Sequence, residues 1–136
     1  MREIETVSAA ATFAAGVSLG KTLTSNAILA FFGDLGAGKT TFIKGVASIF
    51  SSDTITSPTF TYLHIYSGKL PLYHFDLYRI RSEKDFIDLG FTEYFQSGVI
   101  CLIEWAEKIE SLLPVNTLRI FLEHAGGDNR KISYRL

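Results

Sequence analysis

Gly33-Asp34-Leu35-Gly36-Ala37-Gly38-Lys39-Thr40 follows the apolar run 27–32 and precedes a stretch in which Phe42, Ile43, Val46, Ile49 and Phe50 recur at spacings of three and four. A short apolar run that feeds straight into glycines reads as a buried strand. The three-and-four spacing after Lys39 reads as an amphipathic helix. Between them Gly33, Gly38, Lys39 and Thr40 satisfy G-x-x-x-x-G-K-[ST]. Glycines let the backbone curl tightly enough to turn its N–H groups inward around a phosphate. The helix opening near Lys39 adds the positive end of its dipole at the same point. Lys39 supplies a compact charge for β- and γ-phosphates, and the Thr40 hydroxyl is a magnesium ligand. The strand–loop–helix context is what this chemistry requires.

Outward from the loop, helical and extended segments alternate, which predicts an α/β fold. The Ala-rich stretch 8–22 reads as a helix. Its flank Arg2-Glu3-Ile4-Glu5 is too acidic for a secretory leader. Ser57-Pro58 marks a loop, and 59–66 alternates as a strand does. A second extended segment, 70–75, ends at Asp76. Ser82-Glu83-Lys84-Asp85 fits a capped helix start running toward Leu89-Gly90, and 92–96 reads as another short helix. The run 99–103, Val-Ile-Cys-Leu-Ile, is wholly apolar and predicts a central strand, with a helix over 106–113 stopped near Pro114. Two C-terminal strands, 117–123 and 131–136, join through Gly126-Gly127-Asp128-Asn129 as a hairpin. No linker and no repeat divides residues 1–136, which predicts a single domain.

Composition narrows the function classes. The chain of 136 residues is 47% hydrophobic and 20% charged, near the average for a globular domain. With 13 basic and 14 acidic residues the net charge is −1, so no global field steers it to DNA or to an anionic membrane. No apolar run approaches the roughly 20 residues needed to span a bilayer. The single cysteine, Cys101, lies in the apolar strand and reads as a buried core residue. Together these predict a cytoplasmic protein.

A phosphate loop needs a carboxylate near its magnesium and a group that orients water. Glu104 follows the apolar strand directly, at the edge where ligands collect in α/β sheets. Asp76 holds the same place if its own strand runs in the same direction. Because both end strands, replacing either with alanine is expected to leave the fold intact.

Four motifs in order now resemble one family. They are 33–41, GDLGAGKTT; 57–61, SPTFT; 74–79, HFDLYR; and Ile103-Glu104-Trp105. The set resembles the TsaE (YjeE) family, the ATPase component of bacterial tRNA threonylcarbamoyladenosine (t6A) biosynthesis. The likeness begins near Thr12 and ends near Arg130 and Lys131. It implies a P-loop NTPase-like fold, a mixed β-sheet with helices on both faces and a C-terminal antiparallel hairpin. It also implies ATP and Mg2+ bound through Gly33, Leu35, Gly36, Ala37, Gly38, Lys39, Thr40 and Thr41. Thr40 and Glu104 would serve the metal, and Asp76 would be a required aspartate, either positioning water or touching the metal shell. The loop at 57–61 resembles a switch, with Thr59 sensing the γ-phosphate; Trp105 follows the glutamate as in the family; Thr12 and Arg130 match positions near the base. Ala106 departs from a proline common there.

The family resemblance further implies action on a TsaD–TsaB heterodimer, tRNA being reached only through that complex, with hydrolysis slow alone and stimulated by the partner. Two other readings share the loop. A small P-loop kinase needs several arginines to clamp the transferred group, and here only Arg79 and Arg81 lie close together mid-chain. A nucleotide-gated binding module would use ATP only to control docking. A GTPase would need an N-K-x-D element, which the sequence lacks.

Overall fold

A computed structural model describes residues 2–33, 38–53 and 62–135. Its seven strands form one sheet: β1 (Arg2–Thr6), β2 (Ile28–Phe32), β3 (Leu63–Tyr66), β4 (Leu72–Asp76), β5 (Ile100–Glu104), β6 (Leu118–His124) and β7 (Arg130–Tyr134). The spatial order is β1-β7-β6-β2-β5-β4-β3. β2 pairs in parallel with both β5 and β6, and β4 in parallel with β5. The two flanks are antiparallel, β3 on β4 at one side and β6-β7-β1 at the other. The sheet is therefore mixed, and the C-terminal hairpin lies within it.

The central strands β2 and β5 have helices over both faces, so they read as apolar runs rather than alternating ones. Over one face lie α1 (Ala9–Gly20) and α2 (Lys39–Ala47), which cover Leu29, Phe31, Leu72, Ile100 and Leu102. Over the other lie α3 (Glu83–Asp88) and 3-10 segments at Phe91–Gln96 and Ala106–Leu112, packed on Ala30, Phe75, Cys101 and Ile103. Ser8 and Ser82 cap their helices through the Ala11 and Asp85 amides at 3.0 and 3.2 Å. Each such cap contributes about 1 kcal/mol.

α1 and α2 approach unusually closely because glycines face each other. A Cβ on Gly16 would collide with the Phe42 carbonyl oxygen, and one on Gly45 with that of Phe13. The buried face of α1 is Thr12, Gly16, Leu19 and Gly20, whereas Phe13 is 39% exposed.

Three expectations change. β1 was not foreseen: it is an edge strand whose one partly buried apolar residue, Ile4, leaves no apolar pattern to read. Residues 106–112 form a 3-10 segment broken at Ile109 (φ −130°) rather than an α-helix. The strand expected over 59–66 is β3, Leu63–Tyr66, and the part over 59–61 lies outside the described residues. No helix among the described residues is long and apolar enough to cross a membrane.

Candidate functional site

The parallel alignment of β4 with β5 settles where the two carboxylates stand. Asp76 and Glu104 are register partners at the C-terminal ends of these strands. Side chains alternate along a strand, so 72, 74 and 76 share a face with 100, 102 and 104. Leu72, Ile100 and Leu102 pack in the same cluster as Phe42 and Val46 of α2. Both carboxylates therefore belong to the face that carries the helix after the glycine loop.

That helix begins at Gly38, whose φ of +92° is a left-handed conformation suited to glycine. Lys39 follows, only 6% exposed. Its Nζ donates to the Gly33 carbonyl at 2.8 Å and lies 4.3 Å from the centre of the Trp105 ring. Trp105 is itself left-handed (φ +60°). This backbone turn ends β5 and leaves the indole 5.1 Å from the Tyr78 ring. The cation is thus desolvated and held against an aromatic face. Thr40 is exposed and Thr41 half-buried on α2. Leu35, Gly36, Ala37 and Thr59 lie outside the described residues.

The carboxylates have unlike surroundings. Asp76 is half-buried; its Oδ1 accepts the Tyr78 N–H at 3.1 Å, and its own N–H donates to the Tyr62 carbonyl at 2.9 Å. Burial pushes its carboxyl above the usual range, and the neighbouring Glu104 charge adds to this; the Tyr78 amide, His74 and Lys39 oppose it. Glu104 is 5% exposed, and its Oε2 lies 2.8 Å from His74 Nε2. Glu104 does end β5, but the expectation that a strand end keeps it out of the packed interior is corrected: it is buried, and alanine there would leave the buried His74 Nε2 without its partner. His74 entered the sequence reading only as part of the 74–79 motif; period-two alternation along 72–76 is the signal that puts it on the face of Asp76.

Thr12 and Arg130 are linked through Thr6. Thr12 is buried on α1 with its hydroxyl 2.7 Å from that of Thr6, and Thr6 is the register partner of Arg130. The Arg130 guanidinium donates to the Gly127 and Asn129 carbonyls at 2.7 and 2.8 Å. Its side chain passes alongside Gly38, where a Cβ would sit 3.5 Å from Arg130 Cγ.

These residues fit a magnesium nucleotide. No group of three or more metal-binding side chains is present among the described residues, which excludes there a dedicated protein cage. Mg2+ is instead commonly held by one or two carboxylates, phosphate oxygens and waters. The Glu104 charge adds to the rise of the Asp76 carboxyl, and a divalent cation beside these two hard oxygen donors would offset that repulsion.

The model of the family described as "Threonylcarbamoyl adenosine biosynthesis protein TsaE" matches residues 6–132. A Bacillus subtilis protein named tRNA threonylcarbamoyladenosine biosynthesis protein TsaE is 48% identical over 109 residues, covering 79% of this chain and 68% of the relative. A Treponema pallidum protein of the same name is 42% identical over 119 residues, covering 87% and 88%. The crystal structure of Bacillus subtilis YdiB superposes with a TM-score of 0.80 at 39% identity, covering 98% of this chain and 83% of that one.

Proposed function

The chain belongs to the TsaE family, and from that premise we propose that it binds and hydrolyses ATP with Mg2+ in support of t6A formation on tRNA. The observation that carries the reading is the register pairing of Asp76 with Glu104, on the sheet face covered by the Lys39 helix. A glycine turn, a buried lysine at a helix start and paired carboxylates on neighbouring parallel strands are the parts phosphoryl transfer requires.

Lys39, which donates to the Gly33 carbonyl here, would meet the β- and γ-phosphates when nucleotide binds, and Gly33, Leu35, Gly36, Ala37 and Gly38 would supply the backbone N–H groups that hold them. Thr40 and Glu104 would hold the cation, which would supply charge neutralisation at the phosphate oxygens. Thr41 adds a hydroxyl one residue further into the helix. Asp76 orients water or supports the metal shell. Trp105 covers the lysine, and Tyr78 packs against Trp105. Thr12 and Arg130 would serve the base end of the nucleotide, and Thr59 would sense the γ-phosphate.

The partner is a TsaD–TsaB heterodimer in the cytoplasm, with tRNA reached through it. Turnover is slow alone and rises with the partner. Steady-state ATP hydrolysis, measured with and without purified TsaD–TsaB, tests this. Stimulation supports the ATPase reading. No turnover in either case, with nucleotide-dependent docking retained, would leave a gated binding module instead.

A further inference from the structure

We infer that His74 is a positioning residue for the magnesium side of the nucleotide site, acting through Glu104; the inference rests on the Mg2+–ATP reading above. Four observations carry it. His74 Nε2 lies 2.8 Å from Glu104 Oε2 across neighbouring parallel strands. Both side chains are buried, at 2% and 7% exposure. A carboxylate can only accept, so Nε2 must carry the hydrogen whatever the charge of the ring. And His74 Nδ1, also buried, has no hydrogen-bond partner among the described residues.

An imidazole with half its polar capacity unmet is a poor choice for filling this core. The register partner of His74 on β5 is Leu102, and Leu72 lies two residues earlier on the same face. What the ring delivers is a single directed bond. That bond ties down one oxygen of a flexible carboxylate and leaves Oε1 for the cation. Asp76 is oriented separately, by the Tyr78 amide. Outer-shell hydrogen bonds of this kind commonly set metal affinity.

The test uses geometry that differs between two amides. The amide nitrogen of glutamine sits three bonds beyond Cβ, as His Nε2 does, whereas that of asparagine sits two bonds beyond, as Nδ1 does. The protein and its His74→Gln, His74→Asn and His74→Leu variants are titrated with a non-hydrolysable ATP analogue, in Mg2+ and in EDTA. The signal is fluorescence of Trp105, the single tryptophan. The quantity read is the ratio of the two affinities.

The expected result is a ratio for His74→Gln close to wild type, and one about 10-fold lower or more for His74→Asn and His74→Leu, with EDTA affinities unchanged. In a Glu104→Gln background, adding His74→Leu should lower the ratio little further, and a full additional loss there also overturns the inference. Equal loss in all three variants, an equal fall in EDTA, or no loss in any overturns the inference. A wild-type protein whose affinity ignores Mg2+ overturns instead the reading on which it rests.

Discussion

Replacing Gly45 with alanine sets local propensity against tertiary packing, and the two give opposite signs. In the interior of α2, alanine is favoured over glycine by about 0.8–1 kcal/mol. The new Cβ, however, would drive into the Phe13 carbonyl oxygen, with Gly16 Cα only 3.1 Å away. These obstacles are backbone atoms on α1, so no side chain can swing aside. Restoring ordinary contact requires the helices to part by on the order of 1 Å. That motion loosens Leu19, Phe42 and Val46, which share the core cluster. Overpacking costs about 1–3 kcal/mol, and obstacles that are all backbone put this site in the upper part of that range, at about 2–3 kcal/mol. Less the propensity gain, the variant should lose about 1–2 kcal/mol, and its Tm should fall by about 3–8 °C. Urea titration with an unchanged m-value, alongside calorimetry, gives the number. A Gly45→Ala protein as stable as the wild type would refute the reasoning, because it would mean that α1 and α2 do not meet backbone to backbone.

Lys39→Ala should weaken ATP binding by about 2–5 kcal/mol, the cost typical of losing one desolvated charge contact; calorimetry showing unchanged affinity would sink the phosphate-loop assignment. Asp76 has a carboxyl raised chiefly by burial, so between its ordinary pKa of 3.8 and the raised value the folded state holds a proton that the unfolded chain has lost. Its stabilising contribution is complete below pH 3.8 and lost as pH rises through the raised value. Asp76→Asn should accordingly be more stable than wild type at neutral pH, with the gain shrinking on acidification; denaturant melts across pH check the sign. Burial pushes the Cys101 thiol up to about 12, so a thiol reagent at pH 8 should label it only as fast as the protein opens, and rapid labelling of the native state would contradict its placement in β5.

Local chemistry and periodicity determined much of this protein without any structure. The glycines and Lys39 between an apolar run and a three-and-four repeat mark the candidate phosphate loop. The wholly apolar 99–103 marks a strand covered on both faces, and Ser82 with Asp85 marks a helix start. Such features are legible because each depends on neighbours within a turn or two of the chain. Direction, register and the partners of edge strands depend on contacts between distant segments. The sequence could not say that β4 runs alongside β5, and that alignment alone makes Asp76 and Glu104 neighbours. It could not show β1, whose residues 2–6 are held by hydrogen bonds to β7 rather than by an apolar face. Nor could it join His74 to Glu104, thirty residues apart, or bring Arg130 to Gly38. Tertiary structure decides these because pairing is fixed by the packing of the whole sheet, to which any single segment contributes only a face and a length.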